Sequence, residues 1–355
     1  MADARIPVAI LGATGAVGQT FIRCLVGHPW FRIAEVGASE RSVGKTYAEA
    51  ARWIEGDLPA DVAALKLTAC DPAVVRSPVV FCGLDAAAAA ETEPAFARAG
   101  RFVFSNAKTF RMDPDVPLMI PEVNAAHLGL IERQRKERGW TGAIVTNANC
   151  SSTTAAVAMA PLHERFGIRT VFAATLQAVS GAGYPGVPSL DILGNIIPYI
   201  GEEEPKIERE IQKMLGAFRD GAVVHAPFVV SAHANRVPVE NGHTVCLSLG
   251  FEDPPTPEQA VATLREWRGD LSVRGLPFAP EPPIRYRDEP DRPQPRRDVM
   301  EGRGMATVVG RVRADPVLHL RLVAMSHNTI RGAAGGSILN AELLVARGDI
   351  PRDAA

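Results

Sequence analysis

"IPVAILGATGAVGQTFIRCLVGHP", residues 6–29, reads as an apolar strand, a glycine-rich turn and an amphipathic helix, and "FRIAEVGAS" at 31–39 follows as a second strand. Gly12, Gly15 and Gly18 occupy the turn, where glycine permits a tight bend and lets a pyrophosphate approach the helix N-terminus. A glycine triplet alone is weak and could be a merely structural turn. The strand before it and the helix after it supply the context, so the turn, with Thr14, Ala16 and Val17 between and beside the glycines, reads as a dinucleotide site. Further strands at 77–84 ("SPVVFCGL"), 101–107 ("RFVFSNA") and 142–149 ("GAIVTNAN"), with a helix over 86–99, extend the alternation. Alternating strands and helices predict a Rossmann-like, doubly wound parallel sheet.

The end of the second strand bears on which nucleotide is bound. A Rossmann site for NAD usually carries an acidic residue there, whereas this chain reads "GASERSVGK" at 37–45, clustering Ser39, Arg41, Ser42 and Lys45. Hydroxyls and cations suit a 2′-phosphate, so NADP is preferred; Glu40, in the same loop, is the dissenting residue.

Composition narrows the ligands. With 355 residues, 46% apolar and 22% charged, the chain is long enough for two domains with real cores. Its 38 basic and 40 acidic residues leave a formal net charge of −2, so neither nucleic acid nor an acidic membrane is called for, and small molecules are the expected partners. The N-terminus runs straight into a strand pattern and no stretch reaches the length of a membrane span, which predicts a cytoplasmic protein. Five scattered cysteines without a CxxC pair argue against a disulfide framework and against a zinc cluster.

One cysteine stands apart. In "IVTNANCSSTTAAVAMAPL", 144–162, an apolar strand meets an Ala-rich helix at Cys150. A sulfur at a helix N-terminus is placed where the dipole and free N–H groups favour an anion, so Cys150 reads either as a thiolate nucleophile or as a small buried residue. A catalytic Cys150 would alkylate faster than the other four cysteines at neutral pH. Beyond it the β-rich runs 169–183, 225–239, 243–252 and 304–328 predict a second domain on an antiparallel or mixed sheet. The Pro- and charge-rich 277–298 reads as a surface loop with solvated arginines, and the small-residue-rich end as a helical segment that could return to the first domain.

A cysteine nucleophile, a nicotinamide site and no metal cluster suggest redox chemistry at the aldehyde or acyl level. In "NRVPVENGHTVCLSLGF", 235–251, a two-residue turn at Asn241-Gly242 would put Arg236 and His243 on one face of a hairpin; each taken alone is more often structural or solvated. Gln177 falls near a strand end. Glu203 and Lys206 are one helical turn apart and can face one ligand, or form a surface ion pair.

In order along the chain, "GATGAVG", "GASERSVGK", "SNAKTFRMDPDVPLMIPEVN", "NANCSSTT", "LQAVSGAGYPGVPSLDILGNIIPYIGEEE", "NRVPVENGH", "DRPQPRRD" and "SHNTIRGAAGGSILNAELL" resemble the aspartate-β-semialdehyde dehydrogenase family, particularly its archaeal and fungal branch. The resemblance implies NADPH-dependent reductive dephosphorylation of L-4-aspartyl phosphate to L-aspartate 4-semialdehyde, on the route to lysine, methionine and threonine. It implies Cys150 as nucleophile, His243 as acid/base and Gln177 as orienting residue. Arg236 would bind the substrate carboxylate, Glu203 its ammonium group, and Arg111 and Lys206 its phosphate. Asn149 would support the cysteine turn and Asn328 contact the cofactor. It further implies a homodimer or homotetramer. The expected organisation is an NADP-binding domain over 1–149, an α+β catalytic and dimerisation domain over 150–326, and a helical segment over 327–355 returning to the first. Pro205, before Lys206, departs from the expected pattern, although a first helical turn tolerates proline. An acyl-CoA reductase of the malonyl-CoA type, an N-acetylglutamyl-phosphate reductase and a non-catalytic NADP-binding sensor are the alternatives.

Overall fold

The apolar runs of the first half form the strands of one sheet. In the computed structural model, which describes residues 4–352, these are β1 (Ile6–Leu11), β2 (Phe31–Ala38), β3 (Leu67–Ala69), β4 (Val79–Cys82), β5 (Phe102–Ser105), β6 (Leu118–Met119) and β7 (Ala143–Asn147). The outermost three residues at each end of the expected domain ranges lie outside the described residues. The strand order is β3-β2-β1-β4-β5-β7-β6, with every pairing parallel. Strands β4, β5 and β7 are buried along their whole length, as continuous apolar runs in a sheet covered on both faces should be. The short strands β3 and β6 carry too few residues for a periodic signal and were not foreseen.

The helices that matter for the site are α1 (Ala16–Leu25), α2 (Ala86–Arg98), α3 (Leu130–Arg138), α4 (Cys150–Phe166), α5 (Glu203–Met214), α6 (Pro257–Glu266) and α7 (Gly335–Ala346). The strand order reverses between β1 and β4, and the crevice at the carboxyl ends of strands flanking such a switch point is where doubly wound sheets bind ligands. The last helix, α7, does return: Ile338, Leu339 and Leu343 share a core with Ile10, Phe81 and Phe104 of the first sheet.

The second half builds β8 (Ile168–Gln177), a small hairpin of β9 (Ala217–Arg219) and β10 (Ala222–Val224), then β11 (Val229–Arg236), β12 (His243–Phe251), β13 (Ile284–Arg287), β14 (Thr307–Ala314) and β15 (Leu320–Ser326). Apart from the hairpin these form a mixed sheet, β11-β8-β12-β15-β14-β13. One face packs on α4, whose Ala155, Val157 and Met159 meet Val171, Val245 and Leu322.

Two expectations are corrected. Strands β11 and β12 do not form a hairpin, because β8 lies between them, parallel to β11 and antiparallel to β12. The linking backbone pairs with the chain leaving β8 instead: Val237 N–H donates to Gln177 O at 3.0 Å and Val179 N–H to Val239 O at 2.8 Å. The segment 277–298 is also more ordered than its composition suggested. Its β13 pairs with β14, and Arg292 is buried with its Nε 2.7 Å from Asp298 Oδ2, since a guanidinium drawn off the surface needs a carboxylate partner.

Candidate active site

Four strand ends of the second sheet lie side by side. Arg236 ends β11 beside Gln177 at the end of β8, and His243 opens β12 one step beyond the Thr244–Leu176 pair and opposite Ser326 of β15. Arg236 and His243 thus meet across the end of β8. Both press on Gly181, where a Cβ would lie 2.8 Å from His243 Cε1 and 2.9 Å from Arg236 Nη1.

The cysteine turn is held from several sides. Asn149 caps α4 by accepting from the N–H groups of Ser151 (2.9 Å) and Ser152 (3.1 Å). Its Nδ2 donates to Glu203 Oε1 at 2.7 Å, and Gln177 Nε2 donates to the same oxygen at 3.1 Å. Lys206 Nζ lies 3.3 Å from Glu203 Oε2, so Pro205 has not prevented the two from sharing a face. From the other side a single π-helical turn, Ile330–Ala334, brings Gly332 so close that its Cβ would stand 2.5 Å from Cys150 Cβ. Arg331 in that turn forms a buried bidentate pair with Glu122 (2.7 and 3.0 Å).

The electrostatics correct one expectation. Loss of solvent around the Cys150 thiol pushes it up to about 12; Glu203 adds to the rise, while Arg111, the Ser151 N–H and Arg236 pull it down. Burial takes His243 down to about 3, with Arg236 and His327 adding to the fall. Desolvation thus pushes both groups toward their neutral forms, against the pull of the helix N-terminus on the thiol. Ala178 N–H donates to His243 Nδ1 at 3.1 Å, which leaves the proton on Nε2, a buried donor with no protein partner.

Arg111 lies behind this cluster, its Nη1 3.0 Å from Glu210 Oε1, and lines a cavity of about 310 Å³ with Lys108, Lys206, Arg209 and Glu202.

The nucleotide residues gather at the switch point of the first sheet, apart from this cluster. Gly12 has φ +70°, and a Cβ there would lie 2.8 Å from Gly83 O, while one on Gly18 would fall 2.3 Å from Gly12 O. Thr14 O accepts from Gln19 Nε2, Val17 faces Gly83, and no side chain caps the first turn of α1. Bare backbone at a helix N-terminus fits a pyrophosphate. Ser39 precedes a short 3₁₀ turn, Glu40–Ser42, in which Arg41 is exposed and able to meet a 2′-phosphate; Glu40 is exposed beside it. A cavity of about 600 Å³ runs from Ala16 past Ser180 to Asn241 and Thr329. Asn328, between the lining residues His327 and Thr329, donates from Nδ2 to Ser180 Oγ (2.8 Å) and accepts Gly242 N–H (2.9 Å).

Comparison with known proteins agrees with this layout. Residues 7–131 match the semialdehyde dehydrogenase NAD binding domain and residues 159–331 the semialdehyde dehydrogenase dimerisation domain. An aspartate-semialdehyde dehydrogenase of Archaeoglobus fulgidus is 48% identical over 96% of this chain and 98% of its own length. The chain belongs to the aspartate-semialdehyde dehydrogenase family. The Trichophyton rubrum member is also 48% identical, over 96% of this chain and 97% of its own. A crystal structure of the Candida albicans aspartate-semialdehyde dehydrogenase with NADP superposes with a TM-score of 0.90 at 42% identity, covering 97% of this chain and 100% of that one.

For a member of this family, the sequence reading omitted several residues that the structure places at the cluster: Gly181, Gly332, Lys108, Glu210 and Lys213. Glu210 and Lys213 were detectable in principle, since they continue the spacing of Glu203 and Lys206 along α5. The glycines carry no local signal, because their tight neighbours come from distant strands.

Proposed function

We propose that this chain catalyses NADPH-dependent reductive dephosphorylation of L-4-aspartyl phosphate to L-aspartate 4-semialdehyde and phosphate, a step toward lysine, methionine and threonine. The observation that carries this reading is the charge pattern around Cys150: Arg236 and Arg111, Lys206, and Glu203, joined through Asn149, Gln177 and Glu210. A substrate bearing a carboxylate, an ammonium and a phosphate is matched by that set. Arg236 takes the α-carboxylate, Glu203 the ammonium group, and Arg111 and Lys206 the phosphate, with Gln177 orienting the acyl carbon toward the thiol.

Cys150 Sγ attacks that carbon, the carbon–oxygen bond to phosphate breaks, and the thiol proton leaves with the departing phosphate, so that a thioester remains on the cysteine. The dinucleotide, held by Gly12–Gly18, Ser39, Arg41, Ser42 and Asn328, supplies the hydride when bound. His243 Nε2–H donates to the substrate oxygen as it becomes negative, and the sulfur leaves and is reprotonated as the aldehyde forms. An acyl-CoA reductase would leave Glu203 without an ammonium partner. The names of the relatives likewise favour the semialdehyde reading over that enzyme, over an N-acetylglutamyl-phosphate reductase and over a non-catalytic sensor.

The proposed organisation is an NADP-binding unit over 1–149, a catalytic and dimerisation unit over 150–326 and a returning segment over 327–355. The chain acts as a homodimer or homotetramer. None of the helices among the described residues is long and apolar enough to cross a membrane, and we place the enzyme in the cytoplasm.

The test follows NADPH absorbance with L-aspartate 4-semialdehyde and NADP, adding phosphate or CoA. Phosphate-dependent NADPH formation is expected, lost by orders of magnitude in Cys150→Ala while NADPH binding persists. Turnover with CoA in place of phosphate would overturn the reading.

A further inference from the structure

Helix α5 carries a stripe of alternating charge. Glu203, Lys206, Glu210 and Lys213 are separated by three, four and three residues, which aligns them on one face. The first two belong to the substrate site proposed above, whereas Glu210 and Lys213 are assigned no substrate contact in it. Each is only 2% exposed, so both ionisable side chains have been taken out of water and need partners.

Those partners lie on the loop that carries Arg111. Glu210 Oε1 accepts from Arg111 Nη1 at 3.0 Å, and Oε2 accepts the backbone N–H of Asn149 at 2.7 Å. One carboxylate therefore spans the guanidinium and the residue that precedes the nucleophile. Lys213 Nζ donates to the carbonyls of Arg111 (2.7 Å), Asp113 (2.8 Å) and Val116 (2.8 Å), fixing the backbone on which Arg111 stands. Arg111 Nη2 donates to Asn106 O at 2.8 Å, and its Nε has no partner among the described residues. Buried ion pairs are a weak source of stability compared with apolar packing of the same volume, so stability alone accounts poorly for this arrangement.

We propose that Glu210 and Lys213 are positioning residues that set the distance between Arg111, as the ligand of the transferred phosphate, and Cys150. The inference rests on the acyl-phosphate reading above. Lys213 fixes the loop, Glu210 fixes the guanidinium and ties it to the cysteine turn, and the same helix delivers Glu203 and Lys206 to the other end of the substrate. Helix α5 thus works as a ruler along which the charged groups of the substrate are spaced.

The experiment measures initial rates in the direction that consumes phosphate, varying phosphate, aldehyde and NADP separately. Glu210→Gln keeps the side-chain shape but removes its charge and one acceptor. It is expected to raise KM for phosphate about tenfold or more, with KM for NADP within about twofold of wild type. Because Glu210 acts through Arg111, its effect should be largely absent in an Arg111→Lys background, a non-additivity of the kind expected for coupled neighbours. Lys213→Met should raise the same constant, and Glu210→Asp, whose shorter arm cannot span both partners, gives the same reading if the glutamine variant fails to fold. A folded Glu210 variant with unchanged KM for phosphate, or with an effect that adds fully to that of Arg111→Lys, overturns the positioning role. A wild-type enzyme that turns over without phosphate overturns the acyl-phosphate reading and this inference together.

Discussion

At the scale of single residues, burial pushes Cys150 and His243 toward their neutral forms. The sequence places Cys150 at a helix mouth and so suggests a thiolate, but the fold removes water from the sulfur faster than Arg111, Arg236 and the Ser151 N–H can compensate. A thiol pushed up to about 12 gains roughly tenfold in thiolate for each unit of pH throughout the accessible range. Alkylation of Cys150 by iodoacetamide in the ligand-free enzyme should accordingly be slower than that of free cysteine at neutral pH and climb without a plateau into alkaline solution. Mass spectrometry of the Cys150 peptide reads this directly, and a plateau near neutrality would show a resting thiolate instead. His243→Asn should leave that slope unchanged, since a histidine held down near 3 is already neutral. His243 as a candidate residue was legible in the sequence. Its protonated nitrogen was not, because that depends on Ala178, sixty-five residues away along the chain.

At the scale of elements, helix α4 shows how a local signal is reused. Asn149 is a good capping residue by type, and its Oδ1 does cap the helix, yet its Nδ2 and N–H are spent on Glu203 and Glu210 of α5. The two duties can be separated. Asn149→Ala should cost about 1 kcal/mol and lower the thermal midpoint, whereas Asn149→Ser restores a cap but not the link to Glu203. The serine variant is therefore expected to recover most of the lost stability while retaining a raised KM for the semialdehyde. Recovery of both together would reduce Asn149 to a helix cap. Helix α5 itself was foreseen, but its inward stripe was not. Alternating charges at helical spacing are also what a solvated surface helix displays, and only the 111–116 loop folded against it makes Glu210 and Lys213 interior groups. The supposed β11–β12 hairpin failed for a related reason: Asn-Gly is a local hairpin signal, but β8 pairs with both strands and lies between them.

At the scale of the whole molecule, the uncovered face of the second sheet is the feature that remains. Phe172 (41% exposed) and Leu176 (36%) on β8 and Val229 (66%) on β11 share that face, and Phe172 contacts the His233 ring. Apolar surface gathered in this way on a matched dimerisation domain is suited to cover by another chain. Sedimentation velocity should find a dimer or tetramer for the wild-type chain, and Phe172→Asp should shift it toward monomer as the concentration falls. An unchanged species would move the interface elsewhere. The returning helix α7 explains why the two halves are not independent: the Arg331–Glu122 pair and Gly332 draw the C-terminal segment between the first sheet and Cys150.

The sequence by itself determined the parallel sheet, the glycine-rich turn, the helix that opens at Cys150 and the family, because each rests on short-range periodicity or on contiguous motifs. Only the tertiary structure decided which charges gather around Cys150, which of them lose water, and which glycines must stay bare. Those properties depend on desolvation and on contacts between residues far apart in the chain, and neither leaves a mark in local sequence.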